Sequence, residues 1–406
     1  MKRCKEKGAR WQTGYLIGGM VVRMVYLYIA AWILCMAGIV LHKNYVFCIG
    51  SHMLKDTYNR KFAALMETVL LLLVFLLLTA NRTGLDIINY EKAYLYEHEA
   101  FEVKDKLYGI LSMAAYQAGF SFYMFRAILT FLSGVLAVGT MKKIGTDFSF
   151  ILLFYLPSML FVDSMQFRNA VCLALFLWSL RYLLFEEKYA EAKFIICILL
   201  IAQMHAVYYF ALILSVFFIK NKRKQIAALL FLFSALLAVV TALNGNQIPF
   251  FSVIANLFLS KTDLRGSSYY TSGNLGWIVP TVIHMMTTLL CVAVNRYADR
   301  KHPGLTKYQR EYLELILVYD LALFVTVPAI MMNLHYYRLV RGAFMMNVIG
   351  VSFLFQRKGK RDRFSCGALA ALAVLALMWY VMDLIIFENS TTMAIPVLDG
   401  KLFFLK

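Results

Sequence analysis

Five arginines stand at or near the ends of long apolar runs, where a cation needs a partner. They are Arg82, Arg126, Arg168, Arg338 and Arg341. Arg338 and Arg341 are three residues apart in YRLVRGAF, so they share one face of a helix. A guanidinium offers a planar fork of N–H donors that matches a phosphate group. Arginines that converge on one wet cavity would bind a phosphate-like anion, whereas any single one could be an anchor to lipid phosphate.

His205 lies in the stretch IAQMHAVYY, near the centre of the apolar segment 194–219. An imidazole can take up or release a proton near neutral pH, so His205 is a candidate for proton transfer. The alternative is a histidine that only packs in an apolar interior. Its place beside two tyrosines, at a predicted chain reversal, leaves both interpretations open.

Acidic residues gather in one segment that follows the second apolar run. They are Asp86, Glu91, Glu97, Glu99 and Glu102. A carboxylate there could act as a general base or bind sugar hydroxyls, and a solvated polar loop is the alternative. The tyrosines of the segment fit a membrane-interface belt and could also stack on sugar rings. They are Tyr90, Tyr94, Tyr96 and Tyr108. The cluster EHEAFE has no familiar metal-ligand spacing, so no metal is predicted.

The composition shows what kind of elements must position these residues. Of 406 residues, 61% are hydrophobic and only 16% are charged, against about 25% in soluble domains. Apolar runs recur along the chain without a polar linker, which predicts an all-α, polytopic membrane protein with one transmembrane domain over 1–406. The net charge of +18 comes from basic clusters between the runs. This is the positive-inside pattern, and it points to anionic lipid rather than nucleic acid.

The apolar runs predict about 11–13 membrane segments, some of them short or re-entrant. They lie at 18–41, 63–80, 107–120, 122–140, 148–163, 167–185, 194–219, 226–243, 276–294, 312–331, 338–355 and 364–387. With the basic loops inside, the outer parts are the loops 81–105 and 244–275 and the tail 388–406. The five arginines then fall on or near the outer face. Arg181 differs from them, because the inner loop 186–193 follows it, and it reads as an inner anchor.

Two places do not fit a simple count of spans. Segment 194–219 begins and ends inside, but its 26 residues are too few for two full α-helical spans. It must enter and turn back near 201–209, which is tolerated only where protein or a water-filled cavity covers the turn. The second place is the N-terminus, which lies outside if 18–41 is a single span. An extra half-span near 42–54 would place it inside, and both alternatives stay open.

Several enzyme classes lack their motifs in this sequence. No Walker motif, GxGxxG, HExxH or GxSxG occurs in a catalytic context. This excludes an ATPase, a redox enzyme and a zinc protease as working hypotheses. The seven cysteines form no CxxC and mostly fall in apolar runs, where they act as small hydrophobic residues. The sequence therefore predicts chemistry without a metal or other cofactor.

In these motifs the sequence resembles the EpsG family of Wzy-like polysaccharide polymerases. RTGLDIINY matches an outer segment of the family with Arg82, Gly84, Asp86 and Tyr90. A helix begun by FRN, a run through SLRY and a short span ending at His205 follow in the family's order, and Arg338 matches a later arginine. The match is good over about 60–220 and looser elsewhere. The sequence departs from the pattern at Asn169, at Met204 and in EHEAFEVKDKLYG, where the family has glutamine, phenylalanine and an acidic-Pro-Gly-Tyr segment.

The resemblance implies a GT-C-like glycosyltransferase at the outer face of the bacterial plasma membrane. Such an enzyme joins polyprenyl-diphosphate-linked oligosaccharide units, one as donor and one as acceptor, in capsule, exopolysaccharide or O-antigen biosynthesis. It needs no nucleotide and no cofactor. Membrane lipids, a chain-length regulator and a flippase are the implied partners.

The resemblance also suggests roles for individual residues. Arg168 and Arg338 would bind the diphosphate, supported by Arg82 and Arg341, and His205 or Asp86 would be the base. Tyr90, Asn169 and Arg126 would contact the substrate. A flippase or transporter of lipid-linked oligosaccharides is an alternative, which predicts charged residues along a path across the bilayer. A monosaccharide transferase is another, which favours an acidic pair in the first outer loop.

Overall fold

The computed structural model describes most of the chain. The described residues are 24–47, 53–96, 105–249, 275–301, 305–355, 363–387 and 394–398. Within them the chain is helical and has no strand, so the predicted all-α class is confirmed. Eight helical segments are long and apolar enough to cross a membrane, and three further apolar helices in the same ranges are shorter. The chain is therefore a multi-pass membrane protein, as its composition predicts.

The α-helices are numbered here in chain order. They are α1 Met24–Phe47, α2 Met53–Ala80, α3 Leu85–Tyr96, α4 Lys106–Gln117, α5 Phe122–Ile144, α6 Phe148–Ser158, α7 Leu160–Met165, α8 Phe167–Ser179, α9 Arg181–Leu184, α10 Ala190–Ala202, α11 Arg223–Leu243, α12 Ile278–Lys301, α13 Lys307–Leu323, α14 Val327–Met332, α15 Tyr337–Ser352, α16 Arg363–Val381 and α17 Ile395–Leu398. Short 3₁₀ segments join several of them, and Ala206–Phe218 is a long one.

Local signals in the sequence set several helix ends. Ser121 caps α5, where its side chain accepts a hydrogen bond from the backbone N–H of Met124. Gly145 ends α5 with a φ of 84°, a left-handed conformation that suits glycine. Asp147 caps α6 by accepting from the N–H of Phe150. The predicted span 148–163 breaks at the end of α6, after a proline that removes a helix hydrogen bond.

The centre of the bundle is formed by the last part of the chain. Within Tyr337–Phe355, 89% of the residues in an apolar 18-residue stretch are buried, and within Lys307–Met332 the share is 72%. In Arg223–Leu243 the value is only 17%, as expected for a helix that faces lipid. Since α15 packs on α12 and α13 and begins with Arg338 and Arg341, these two arginines belong to the innermost helix.

The predicted reversal within 194–219 is present. Helix α10 ends at Ala202, His205 has an extended backbone, and Ala206–Phe218 packs back against α10 as a 3₁₀ helix. A 3₁₀ helix rises about 2.0 Å per residue, so its 13 residues reach about 26 Å. An α-helix of that length would reach only about 20 Å. The stretched geometry explains how a segment of 26 residues can contain both arms.

The loops that the charge pattern places inside do meet at one end of the bundle. Glu187 accepts hydrogen bonds from Arg181 at 2.9 Å and Lys193 at 3.2 Å, and Lys307 pairs with Glu186 at 2.7 Å. The pKa of Glu187 lies below its ordinary value: partial burial raises it, but the two cations outweigh that effect. Arg181, predicted as an anchor, thus has a protein carboxylate as its partner.

The two alternatives for the N-terminus can be compared with the described residues only in part. Helix α1 continues to Phe47 and α2 begins at Met53, so no separate helix over 42–54 is seen in this part of the chain. Residues 1–23 lie outside the described part, as do most of the predicted outer loop 244–275 and most of the tail 388–406. In the tail, Val397 of α17 is buried in a small cluster with Phe161 and Met165, close to the start of α8.

Candidate functional site

Arg168 lies at the start of α8 and is held on three sides. Its Nη1 donates to Oδ2 of Asp105 at 2.5 Å. Its guanidinium carbon lies 4.7 Å from the ring centre of Tyr90 and 5.0 Å from that of Tyr108. Its side chain is 14% exposed. A cation between two aromatic faces and a carboxylate is fixed in direction yet reachable from one side.

The position of Arg168 depends on a break between two helices. Helix α7 ends at Met165, α8 begins at Phe167, and Gln166 between them is not helical. The ring of Phe167 is buried and meets Tyr90 edge-on at 5.1 Å, with Tyr108 at 6.1 Å. Because Phe167 is anchored in this aromatic cluster, Arg168 is held at the end of the span opposite Arg181.

Asp105 is the partner that sequence reasoning missed. It occupies the N-cap position of α4, where an aspartate usually accepts a hydrogen bond from the first turn of the helix. Its side chain makes no such bond and pairs with Arg168 instead. The signal that could have found it is its place: an acidic residue directly before an amphipathic helix that carries Tyr108.

His205 and Arg338 form a second contact, beside the one between Arg168 and Asp105. The region around these four residues is called the corner below. Nη1 of Arg338 lies 3.2 Å from Nε2 of His205. A guanidinium has no acceptor, so it must donate and Nε2 must accept. The imidazole in this contact is therefore neutral, with its proton on Nδ1. His205 stands at the break between α10 and the 3₁₀ arm, and Arg338 stands in the first turn of α15.

Backbone and side-chain contacts join these two pairs into one site. The N–H of Leu107, two residues after Asp105, donates to the carbonyl of Gln203, two residues before His205, at 3.2 Å. The hydroxyl of Tyr208 donates to the backbone oxygen of Asn169 at 3.2 Å. Asn169 adjoins Arg168, and the ring of Tyr208 lies 6.3 Å from that of His205. The structure thus brings together Arg168, Asn169, His205, Arg338 and Tyr90, which the sequence proposed separately.

Arg82 lies at the edge of the same corner. Its guanidinium carbon is 4.6 Å from the ring centre of Tyr123, whose hydroxyl donates to Glu91 at 2.9 Å. Glu91 is next to Tyr90 in α3, so Arg82 approaches the site through these two side chains. Asp86 is half-exposed in the first turn of α3. Among the described residues, no hydrogen bond or ion pair joins Asp86 to Arg168 or His205.

The RTGLD segment is shaped by its glycine. The side chain of Asn81 accepts a hydrogen bond from the N–H of Gly84 at 2.9 Å and so starts α3. A Cβ at Gly84 would lie 2.9 Å from Nδ2 of Asn81, closer than real Cβ atoms come. The glycine is therefore required for the close approach that sets α3 beside the site.

Arg126 is fully buried and bonds to backbone carbonyls. Its Nη1 donates to the carbonyl of Asn81 at 2.5 Å, and its Nη2 donates to those of Leu78 at 2.5 Å and Ser164 at 2.6 Å. Carbonyls at a helix end have no partner within the helix. Arg126 therefore completes the end of α2 and ties it to α7, with both of its amino groups bonded to backbone carbonyls.

Arg341 is also fully buried, in a cluster of charges. Its Nη2 donates to Asp163 at 2.9 Å, and its Nη1 lies 3.6 Å from an oxygen of Asp383. The hydroxyl of Tyr155 donates to Asp163 and that of Tyr337 donates to Asp383, each at 3.0 Å. Arg341 thus faces two carboxylates of the protein rather than the corner with Arg168. Both aspartates interrupt apolar runs, which is the sequence signal that could have identified them.

Part of the predicted acidic segment falls outside the described residues. This applies to Glu97, Glu99 and Glu102, with all of EHEAFE. Tyr96 is described and is largely exposed, at 81% of its surface, whereas Tyr94 is buried and donates a hydrogen bond to the carbonyl of Phe120 at 2.8 Å. The site as described therefore consists of α3, α4, the start of α8, the reversal at His205 and the start of α15.

Comparison with known proteins gives one finding. A family model described as the EpsG family matches residues 64–396, which include each of the site residues named above. No curated protein and no solved structure matches the chain.

Proposed function

The chain belongs to the EpsG family, which indicates an exopolysaccharide polymerase role, and on this premise we propose a specific reaction. The protein is a membrane glycosyltransferase that polymerises polyprenyl-diphosphate-linked oligosaccharide units at the outer face of the bacterial plasma membrane. The growing chain on one lipid diphosphate is the donor, and a hydroxyl of a second lipid-linked unit is the acceptor.

One observation carries this proposal: two arginines share a corner, and each donates to a hydrogen-bond acceptor of the protein. Arg168 is paired with Asp105, and Arg338 contacts His205. A diphosphate leaving group gains negative charge as its bond to the sugar breaks. Two oriented guanidinium groups in a largely desolvated corner would stabilise that charge in the transition state more than in the ground state.

The other parts of the corner suit a carbohydrate held beside the diphosphate. The rings of Tyr90 and Tyr108 flank Arg168 and offer apolar faces. Asn169 is buried and bonded to the Tyr208 hydroxyl, whereas Glu91 and Arg82 add a carboxylate and a guanidinium that can bind hydroxyls. In this proposal they position the sugars. The two fully buried arginines, Arg126 and Arg341, bond to backbone carbonyls and to Asp163 and support the helices that carry the site.

The test is polymer formation by purified protein in nanodiscs. The substrate is the lipid-linked oligosaccharide extracted from a strain that lacks the polymerase. We expect Arg168→Ala and Arg338→Ala to lower turnover by about 100-fold or more, the usual effect of losing one transition-state donor. His205→Ala should also lower turnover, because Arg338 loses its contact with the imidazole. Near-normal polymer formation by both Arg168→Ala and His205→Ala would contradict the assignment.

Arg181 provides a matched control for these variants. It lies on the same predicted span as Arg168, at the opposite end, and pairs with Glu187. Arg181→Ala removes an equal charge from the same predicted span, so near-normal turnover is expected. An equal loss in Arg181→Ala would show that the effect of Arg168→Ala is general damage to the bundle.

A flippase or transporter of lipid-linked oligosaccharides is the second candidate, because buried charges do lie inside the bundle. Arg341, Asp163 and Asp383 are all at most 1% exposed. They are paired with one another rather than arranged as an open path. A transporter would move the labelled lipid-linked unit between leaflets of a vesicle without lengthening it, whereas the proposed enzyme lengthens it without needing a gradient.

A further inference from the structure

Asp105 holds a position that its own helix does not explain. At an N-cap, an aspartate that accepts a backbone N–H stabilises its helix. Asp105 lacks that bond and directs its carboxylate to Arg168, although its side chain is only 11% exposed. The carboxylate is therefore oriented by the site and not by α4.

The backbone places this carboxylate beside the rest of the corner. The hydrogen bond from Leu107 to Gln203 fixes the start of α4 against the segment that carries His205. Asp105 and His205 are each two residues from that bond. An acceptor sugar that reaches the sugar carbon next to the bound diphosphate would thus meet Asp105 on one side and His205 on the other.

Charge balance changes when the donor arrives. Before the donor binds, Arg168 is neutralised by Asp105, and Arg338 rests on a neutral imidazole. A lipid-linked sugar diphosphate has two negative charges, which match two arginines. Once Arg168 turns to the diphosphate, Asp105 loses its counter-ion in a poorly solvated place, whereas Arg338 can reach the diphosphate with its other amino group and keep its contact with His205. A carboxylate that has lost its cation is free to accept a hydrogen bond from a nearby hydroxyl.

We propose that Asp105 is the proton acceptor for the attacking hydroxyl, and that the donor diphosphate releases it by drawing Arg168 away. This rests on the proposed function. The acceptor oxygen forms a bond to the sugar carbon of the donor while the bond from that carbon to the diphosphate breaks. The hydroxyl proton passes to a carboxylate oxygen of Asp105. The diphosphate leaves with the bonding electron pair and is held by Arg168 and Arg338.

His205 is less suited to that role in this arrangement. Its Nε2 already faces the guanidinium of Arg338 at 3.2 Å. A proton taken up there would place two cations side by side, which is unfavourable in a site with little water. Protonation of Asp105 forms a neutral acid instead. In this proposal His205 is a positioning residue that keeps Arg338 directed at the diphosphate.

The experiment measures binding and turnover separately in Asp105→Asn, which keeps the size of the side chain. Binding is followed with farnesyl diphosphate added to protein in nanodiscs, and turnover with the extracted lipid-linked oligosaccharide. We expect turnover to fall by about 100- to 10,000-fold, the range for loss of a general base. Binding of farnesyl diphosphate should be as tight as in the wild type or tighter, because the carboxylate no longer competes for Arg168.

Three results would overturn the proposal. Turnover of Asp105→Asn within about threefold of wild type would show that another group takes the proton. A parallel loss of binding and turnover would show that Asp105 only holds Arg168 in place. Asp105→Glu is the second variant: it keeps a carboxylate, so its turnover should exceed that of Asp105→Asn at least tenfold, and equal values would contradict the proposal.

Asp147→Asn is the matched control. Asp147 is also an N-cap aspartate, at the start of α6, but it makes the usual cap bond to the N–H of Phe150. Its loss should leave turnover near wild type. Failure of the proposed function looks different from failure of this inference. In the first case the wild-type protein forms no polymer from the lipid-linked unit, whereas in the second the wild type does so and Asp105→Asn does too.

Discussion

At the scale of single residues, the arginines predicted to lie on the outer side fall into two groups. Arg168 and Arg338 belong to the corner, and each donates to a hydrogen-bond acceptor, Asp105 or His205. Arg126 and Arg341 are fully buried, and they bond to backbone carbonyls or to aspartates of the protein. A buried guanidinium must satisfy its donors within the protein, so the second group is suited to hold helices together.

The cluster around Arg341 leads to a prediction about stability. Removing one partner of a buried ion pair leaves uncompensated charge and costs about 3–5 kcal/mol. Arg341→Met should therefore lower the thermal unfolding temperature strongly, since Asp163 and Asp383 are then buried without a cation. The triple variant Arg341→Met, Asp163→Asn, Asp383→Asn should recover much of the loss. A single variant that is as stable as wild type but binds farnesyl diphosphate poorly would assign Arg341 to the substrate instead.

At the scale of elements, the two arginines and the histidine of the site stand where a helix is interrupted. Arg168 follows the break at Gln166, His205 lies at the reversal after α10, and Arg338 follows a short 3₁₀ turn. A break turns the chain and leaves backbone groups that neighbouring helices must satisfy. Such places allow polar side chains to gather at one end of an otherwise apolar bundle.

Close packing of α1 on α6 is the element-scale feature that can be tested most cleanly. A Cβ at Gly38 would lie 2.2 Å from Oγ of Ser149, whereas a Cβ at Gly134 in α5 meets nothing within 4 Å. Gly38→Leu should therefore separate α1 from α6 and destabilise the fold by about 1–3 kcal/mol. Gly134→Leu, which adds the same side chain to a helix with free space, should not lower the unfolding temperature. Equal shifts in the two variants would contradict this packing.

At the scale of the whole molecule, charge is sorted between two ends. Lys193, Lys307 and Arg181 meet glutamates at one end, and the corner with Arg168 lies at the other end of the predicted span. In α17, Val397 is buried beside Met165, close to the start of the helix that carries Arg168. This arrangement fits the positive-inside pattern, which predicts that the loop with Glu186 and Glu187 lies in the cytoplasm.

Sidedness can be measured with single cysteines in a chain whose seven native cysteines are replaced by alanine. Lys106 at the start of α4 and Lys188 in the loop before α10 are both exposed. A membrane-impermeant maleimide should label Lys106→Cys in intact cells, and should label Lys188→Cys only after the cells are opened. Labelling of Lys188→Cys in intact cells would reverse the topology and with it the outer placement of the site.

Much of the fold follows from the sequence alone. The apolar runs and basic clusters predict the membrane class, most spans, and even the reversal at His205. The reversal is detectable because 26 residues between two inner loops can be accommodated in only one way. The motif order from RTGLDIINY to Arg338 predicts the family, which the match over 64–396 confirms.

Which charges face one another was settled only by the three-dimensional packing. Three arginines near the ends of apolar runs look alike in the sequence, so spacing cannot assign their partners. They are Arg126, Arg168 and Arg341. Asp105, Asp163 and Asp383 are 63, 178 and 42 positions from the arginine each contacts. Such pairs form when helices far apart in the chain pack together. Hydropathy and charge thus determined the bundle and its two ends, while packing determined that Arg168 meets Asp105 at the edge of the bundle and that Arg126 and Arg341 meet the interior.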